Sequence, residues 1–295
     1  MSTLRELLNR GRSRLAKAGV PDAHTDAWVL MEFAFGIEKS YYFLHENDRI
    51  EQGQQKKYEN LLALREQRIP LQQITGTAWF MGYEFYVNDK VLIPRFDTEI
   101  LVEEVGKLLN PGMRLLDLCT GSGCILLSLL AEHERLGLEG VGADISADAL
   151  QVARVNRERL GVRARLIESD LFSAVEGTFD LIVSNPPYIV EGELKELMPE
   201  VRDHEPRLAL DGKEDGLYFY RKIVEQAAGY LKPGGWLCFE IGYDQGDALR
   251  KLLETAGYDE IRIGKDLAGL DRTAIGRRPQ KFCDYGNRDR EVNVL

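Results

Sequence analysis

Apolar residues recur at helical spacing from residue 2 to about 74. Leu4, Leu7, Leu8, Leu15 and Ala18 share one face. Gly19-Val20-Pro21-Asp22 breaks that helix, and Asp22 is placed to cap the next, which carries Ala27, Val29, Leu30, Phe33 and Ala34 and stops near Gly36. A short turn is expected around Ser40–Leu44. The last helix is expected from Gln54 to Gln67, with Tyr58, Leu61, Leu62 and Leu64 as its apolar stripe. No chemical motif falls in this part, which reads as a small helical bundle. The character changes over Gly76 to Leu92. Trp79, Phe80, Tyr83, Phe85, Tyr86 and Val87 are β-type residues, and Gly82 and Asn88-Asp89 supply turn signals, so a β-hairpin is expected. A helix from Thr98 to about Leu109 follows.

From Arg114 the pattern alternates. Strands are expected at 114–119, 139–144, 164–168, 179–184 and 235–241, with helices at 123–133, 147–160, 216–231 and 244–256. Two further strands lie near 260–265 and 272–277. Alternating strands and helices predict an α/β fold, a parallel sheet with helices on both faces. Only Asp266 to Asp271 separates the last two strands, too little for a helical crossover, so they should be antiparallel. The expected organisation is a helical domain over 1–75, a hairpin linker over 76–95, an α/β domain over 96–278 and a loosely held polar tail over 279–295.

The 295 residues suit roughly two domains. With 44% hydrophobic and 29% charged residues, the chain reads as globular with a sizeable core. No apolar run approaches the roughly 20 residues that span a bilayer. The N-terminal residues also lack the apolar stretch of a signal peptide, so no membrane partner and a cytoplasmic location are expected. Cys119, Cys124, Cys238 and Cys283 have no metal-ligand spacing and read as reduced thiols; no metal site is expected. Residues 1–75 hold 11 Lys/Arg against 10 Asp/Glu, a net +1, so the remainder carries −11 of the total −10. That acidity argues against a nucleic-acid substrate.

Candidate chemistry clusters at strand ends. Asn185-Pro186-Pro187-Tyr188 follows the apolar run Phe179–Ser184. Two successive prolines stop the strand and stiffen its exit. At the carboxyl end of a strand in an open α/β sheet, such a loop is a ligand site. The Asn185 side-chain oxygen and the Pro186 carbonyl can each accept one N–H of a planar NH2 group, and Tyr188 can stack on it. The plainer alternative is a proline turn after a core strand. A second loop, Cys119-Thr120-Gly121-Ser122-Gly123, joins a strand to a helix. Its glycines permit a tight bend and close approach, and the helix N-terminus beyond suits a carboxylate or phosphate. Leu126 stands where a dinucleotide fingerprint would need another glycine, which argues against NAD. Asp144 ends the next strand and can accept both ribose hydroxyls. The plainer alternative is a cap on the following helix, a role Ser146 could fill instead. Asp170, after the third strand, can accept a purine amino group, with Leu171 covering the ring.

This order of glycine loop, Asp144, Asp170 and Asn185-Pro186-Pro187-Tyr188 resembles the S-adenosylmethionine-dependent amino methyltransferases of the Rossmann-like class. Three further segments are similar to the release factor glutamine methyltransferases: Ile93–Glu99, Asp117–Gly123, and Glu205–Gly212 with Asp215-Gly216-Leu217. The resemblance covers roughly residues 5–278. One departure is Phe96, where that family usually carries a second proline.

The resemblance implies a seven-stranded methyltransferase sheet and S-adenosylmethionine as cofactor, leaving as S-adenosylhomocysteine. It implies methylation of the side-chain nitrogen (N5) of the glutamine in the Gly-Gly-Gln tip of bacterial class I release factors. Cys119, Thr120, Gly121, Ser122, Gly123, Asp144, Asp170, Leu171 and Asn185 would hold the cofactor. Asn185, Pro186, Pro187 and Tyr188 would hold the substrate, with Asn185, Pro186 and Tyr188 as the catalytic residues. The sulfonium already activates the methyl, so no Cys, Ser or His nucleophile and no general base is assigned. His24, His45, His133 and His204 lie off these loops. Two rival readings are an adenine-N6 nucleic-acid methyltransferase, using the same loop on a flipped base, and a degenerate fold that only docks on release factors or ribosomes. The intact motifs speak against the second.

Overall fold

A computed structural model of the chain describes residues 2–280. Cys283 and the expected tail, from residue 281 on, lie outside the described residues.

Five helices come first: α1 (Leu4–Lys17), α2 (Ala23–Phe35), α3 (Lys39–His45), α4 (Gln52–Glu66) and α5 (Leu71–Thr75). The helical-period positions Leu7, Leu8, Leu30, Met31, Tyr58 and Leu62 meet in one core. Tyr58 is fully buried and its hydroxyl donates to the Ala27 carbonyl at 3.0 Å. Three details differ from the sequence expectation. The turn around Ser40–Leu44 is a complete helix, α3, and α5 follows the helix expected to be last. Asp22 precedes α2 but its side chain caps nothing; at φ −99° and ψ 37° it lacks the extended backbone of a capping residue.

The hairpin pairs β1 (Thr77–Phe80) with β2 (Tyr83–Tyr86). Its two turn residues, Met81 and Gly82, have φ of 50° and 74°, the paired left-handed conformation that matches strand twist.

Next come α6 (Phe96–Gly106), β3 (Arg114–Leu118), α7 (Cys124–Glu132), β4 (Glu139–Asp144), α8 (Ala147–Leu160), β5 (Ala164–Glu168) and β6 (Phe179–Ser184). They are followed by α9 (Pro199–His204), α10 (Tyr218–Tyr230), β7 (Leu231–Glu240), α11 (Gly246–Thr255), β8 (Asp259–Lys265) and β9 (Asp271–Arg277). The seven strands from β3 on form one sheet in the order β5-β4-β3-β6-β7-β9-β8. It is parallel except that β9 runs antiparallel to both β7 and β8, as the short final connection requires. Successive residues point to opposite faces, and both faces are buried. Leu116, Ile182, Leu237 and Phe239 pack on one side; Leu115, Leu181, Val183, Trp236 and Cys238 pack on the other. That is why these strands read as continuous apolar runs.

The helix expected from Thr98 to about Leu109 runs instead over Phe96–Gly106, and two strand boundaries moved for local reasons. β7 starts at Leu231, paired with Phe179, and continues through an irregularity at Lys232–Gly235 before Trp236 pairs with Leu181. β3 stops before Cys119, whose φ of 58° turns the chain out of the sheet. The short α9 had no periodic signature.

α9 meets the helical bundle through a buried ion network. The Arg65 guanidinium donates to Asp26 at 2.7 Å and to Glu200 at 2.8 Å, while Arg68 grips both Glu200 oxygens at 2.6 and 2.5 Å. Gln73 donates to the His204 carbonyl at 2.9 Å beside it.

Candidate active site

The glycine loop, Asp144, Asp170–Leu171 and the Asn185 loop all lie at the carboxyl edge of the parallel strands. They line one cavity of about 350 Å³, within the ordinary range for small-molecule sites. The strand order places β4, β3 and β6 side by side, so three distant segments become neighbours.

The glycine loop is shaped by its backbone. Gly121 and Gly123 take φ of 55° and 81°, and a Cβ on Gly123 would meet the Leu127 side chain at 2.7 Å. A side chain would therefore be strained there as well as crowded. Gly123 is the residue before α7, whose N-terminus opens on the loop. The fully buried Asp117 beneath it accepts from the Thr120 hydroxyl at 2.5 Å. Burial, with the nearby Asp144 charge, pushes the Asp117 carboxyl up to about 7. Asn156 of α8 ties this loop to the hairpin: its amide donates to the Ser122 and Tyr86 carbonyls and accepts from the Tyr86 N–H.

Asp144 accepts from the Gly121 N–H at 2.8 Å through one oxygen and from the Ser146 N–H at 2.9 Å through the other. Burial raises its pKa, against these backbone donors. Ser146, not Asp144, caps α8, accepting from the Ala149 N–H at 3.1 Å. A carboxylate has about four acceptor positions, so these two donors leave room for hydroxyl donors. Asp170 is exposed at the cavity edge, and Leu171, at φ 49°, is buried. Ser169 fixes that turn by donating to the Leu171 carbonyl at 2.7 Å.

At the end of β6, Asn185 and Pro187 line the cavity, whereas Pro186 and Tyr188 stand behind it. The Asn185 amide donates to the Thr98 hydroxyl at 3.5 Å, leaving its oxygen free to accept. The Tyr188 hydroxyl bonds Glu240 at 3.2 Å, and its carbonyl accepts from the Gln245 amide at 3.2 Å. Gly212 and Gly216 press on the same residue. A Cβ at Gly212 would lie 2.6 Å from the Tyr188 carbonyl carbon, and one at Gly216 would lie 2.4 Å from its oxygen.

Burial holds the cavity thiols protonated: Cys119 is raised well beyond its usual range and Cys124 is pushed up to about 12, so neither is a nucleophile. The wall between Ile93-Pro94-Arg95 and Glu205-Pro206-Arg207 is closed by Arg95, which donates to both Glu205 oxygens at 2.6 and 2.8 Å. Burial nevertheless lifts the Glu205 carboxyl to about 7 against the pull of Arg95. Phe96 is the first residue of α6 and 78% exposed. Proline is favoured at that first helical position, so either residue suits the turn.

The sequence reading missed Thr98, Ser169, Glu240 and Gln245. Glu240 had a legible signal: an acid ending an apolar strand, as Asp144 does. Thr98 lay inside the Ile93–Glu99 segment with no role assigned to it, and Gln245 had no signal, because their roles depend on packing.

Two family models match the chain, a PrmC N-terminal domain over residues 6–76 and a methyltransferase small domain over 95–201. A release factor glutamine methyltransferase from Geobacter sulfurreducens is 40% identical over 93% of this chain and 96% of its own length. One from Cereibacter sphaeroides is 43% identical over 90% of this chain and 95% of its own. A methyltransferase from Pyrococcus furiosus, 21% identical, superposes with a TM-score of 0.51 over 67% of this chain and 90% of that one, which shows the shared fold. With that much identity spread over nearly the whole length, the chain belongs to the release factor glutamine methyltransferase family.

Proposed function

We propose that this protein methylates the side-chain nitrogen of the glutamine in the Gly-Gly-Gln tip of class I peptide chain release factors, with S-adenosylmethionine as donor. The observation that carries the reading is one cavity edged by both the Asp144–glycine loop and the free Asn185 oxygen.

The donor set fits the cofactor. The α7 N-terminus with Gly121 and Gly123 suits its carboxylate, the spare Asp144 lone pairs suit two ribose hydroxyls, and Asp170 with Leu171 suits the adenine. When bound, the cofactor supplies an activated methyl group.

The chain's own residues orient the acceptor. An amide nitrogen is a poor nucleophile, because its lone pair is delocalised into the carbonyl. The side-chain oxygen of Asn185, which lines the cavity, accepts one of its N–H groups, fixes the amide plane and favours positive charge developing on nitrogen. The Pro186 carbonyl, expected from the sequence as the second acceptor, belongs to a residue outside the cavity lining. Orientation of this kind lowers a barrier by roughly 7–11 kcal/mol in the best cases. The proton leaves to water, since an N-protonated amide is a strong acid. Tyr188 acts from behind the loop, keeping it rigid.

The helical part, residues 1–75, grips the protein substrate. A Gly-Gly-Gln tip offers few side chains for recognition, and specificity needs contacts beyond it. Mass spectrometry of a release factor incubated with enzyme and S-adenosylmethionine tests the reading: a single added methyl on that glutamine is expected. An unmodified release factor alongside methylated adenine in a DNA or RNA control would overturn it.

A further inference from the structure

Glu240 is a buried acid that the mechanism above leaves unused. It ends β7, is 3% exposed, and has no ion pair with a Lys or Arg among the described residues. One oxygen meets the Tyr188 hydroxyl; the other, Oε2, is enclosed without a hydrogen bond of ordinary geometry. A buried acceptor left so is costly and is seldom retained without a use. The Thr98 hydroxyl of α6 pulls the carboxyl's pKa down against burial. Thr98 is 2% exposed, and its oxygen is the atom that receives the Asn185 amide hydrogen.

A side-chain amide looks nearly the same either way round; only its hydrogen bonds decide which end faces the cavity. A threonine hydroxyl has one hydrogen to give. If it gives that hydrogen to Glu240, it can only accept from Asn185, and the Asn185 oxygen must face the cavity. If Glu240 donates to Thr98 instead, the hydroxyl hydrogen is free to point at Asn185 and the amide can turn over. The nitrogen would then face the substrate's own N–H groups, donor against donor.

We propose that Glu240 is a positioning residue: acting through Thr98, its carboxylate fixes the polarity of the Asn185 amide, and through Tyr188 it steadies the loop. The proposal rests on Asn185 accepting a substrate N–H. The Tyr188 hydroxyl from the β6 loop bonds the Glu240 carboxyl, and the Tyr220 hydroxyl from α10 donates to its backbone carbonyl. Thr98 and Asp97 of α6 and Arg272 of β9 also act on the carboxyl, and its charge is felt by Cys124 of α7. Arg272 is already engaged by Asp97 at 3.3 Å and Asp266 at 3.0 Å. Burial lifts the carboxyl to about 7, so its ionisation changes near neutrality.

The test compares Glu240→Gln, Thr98→Val and Thr98→Ser with the wild type, using a purified release factor and S-adenosylmethionine from pH 6 to 9. Glu240→Gln removes the charge and replaces one of the two acceptor oxygens by an NH2 donor. It should lower kcat on the order of a hundredfold, as misoriented reacting groups do, with cofactor Kd by calorimetry unchanged. The wild-type kcat should rise with pH through about 7 as Glu240 ionises, and this limb should vanish in the variant. Thr98→Val should match the loss and Thr98→Ser should restore the rate. Should Glu240→Gln fail to fold by circular dichroism, the Val and Ser pair decides alone. Wild-type kcat in Thr98→Val, or an acid limb kept in a folded Glu240→Gln, overturns the proposal. Asn185→Ala assayed in parallel separates the two readings: if it turns over normally, the substrate-holding role itself falls. If it is dead while Thr98→Val is fully active, only the positioning role falls.

Discussion

Replacing Glu200 by Gln removes the one carboxylate that joins α9 to both Arg65 and Arg68. Burial pushes Glu200 up, but the two guanidinium groups outweigh it and hold the carboxyl at about 2 instead of 4.5. A carboxyl so held stabilises the folded state by about 3 kcal/mol at neutral pH. Removing one partner of a buried pair costs about 3–5 kcal/mol, an independent figure of the same size. Arg65 keeps Asp26, so the lower end is expected. The folded pKa lies below the unfolded one. The contribution is therefore complete above about 4.5 and is lost as the pH falls toward 2. Urea unfolding at pH 7 should show the variant about 3 kcal/mol less stable, and the gap should narrow by about 0.8 kcal/mol at pH 4, where the wild type has begun to lose the term. Because the pair also seats the helical part against α9, KM should rise more for whole release factor than for a short Gly-Gly-Gln peptide. Equal stability at pH 7, or a gap that does not shrink at pH 4, would refute the reasoning.

Asp144→Ala should weaken S-adenosylmethionine binding by about 1.5–3 kcal/mol, the range for hydrogen bonds to a charged group; unchanged affinity in calorimetry would remove Asp144 from the site. Asn185→Ala should keep its fold and lose about a hundredfold or more in methyl transfer, the cost of one oriented hydrogen bond, and near-normal single-turnover rates would contradict it. Gly216→Ala would set a Cβ 2.4 Å from the Tyr188 oxygen and 2.7 Å from the Gln245 amide, at a φ of 71°. It should cost about 1–3 kcal/mol and slow turnover with little change in cofactor affinity; a wild-type melting temperature would show that the loop is softer than its packing implies.

The alternation of apolar runs with helical stretches was enough to locate the strands from β3 on and to make their sheet largely parallel, because a strand buried on both faces must be apolar throughout and a parallel neighbour needs a crossover. It was not enough to give their order in the sheet. The antiparallel last pair followed from a connection too short for a helix. The glycine loop, Asp144 and the Asn185 loop were legible because each is local chemistry at a strand end, where glycine, proline or an acid interrupts a strong pattern. α3, α5 and the limits of β7 were misread, since short helices and irregular strands take their form from what they pack against. Only the folded chain decided that Ser146 caps α8 and frees Asp144, that Tyr188 turns from the cavity to Glu240, and that Arg65 and Arg68 find Glu200 more than 130 residues away. Such pairings have no period and no spacing. They depend on which surfaces meet once the sheet and bundle are built, and there a buried charge or amide must take whichever partner the packing presents.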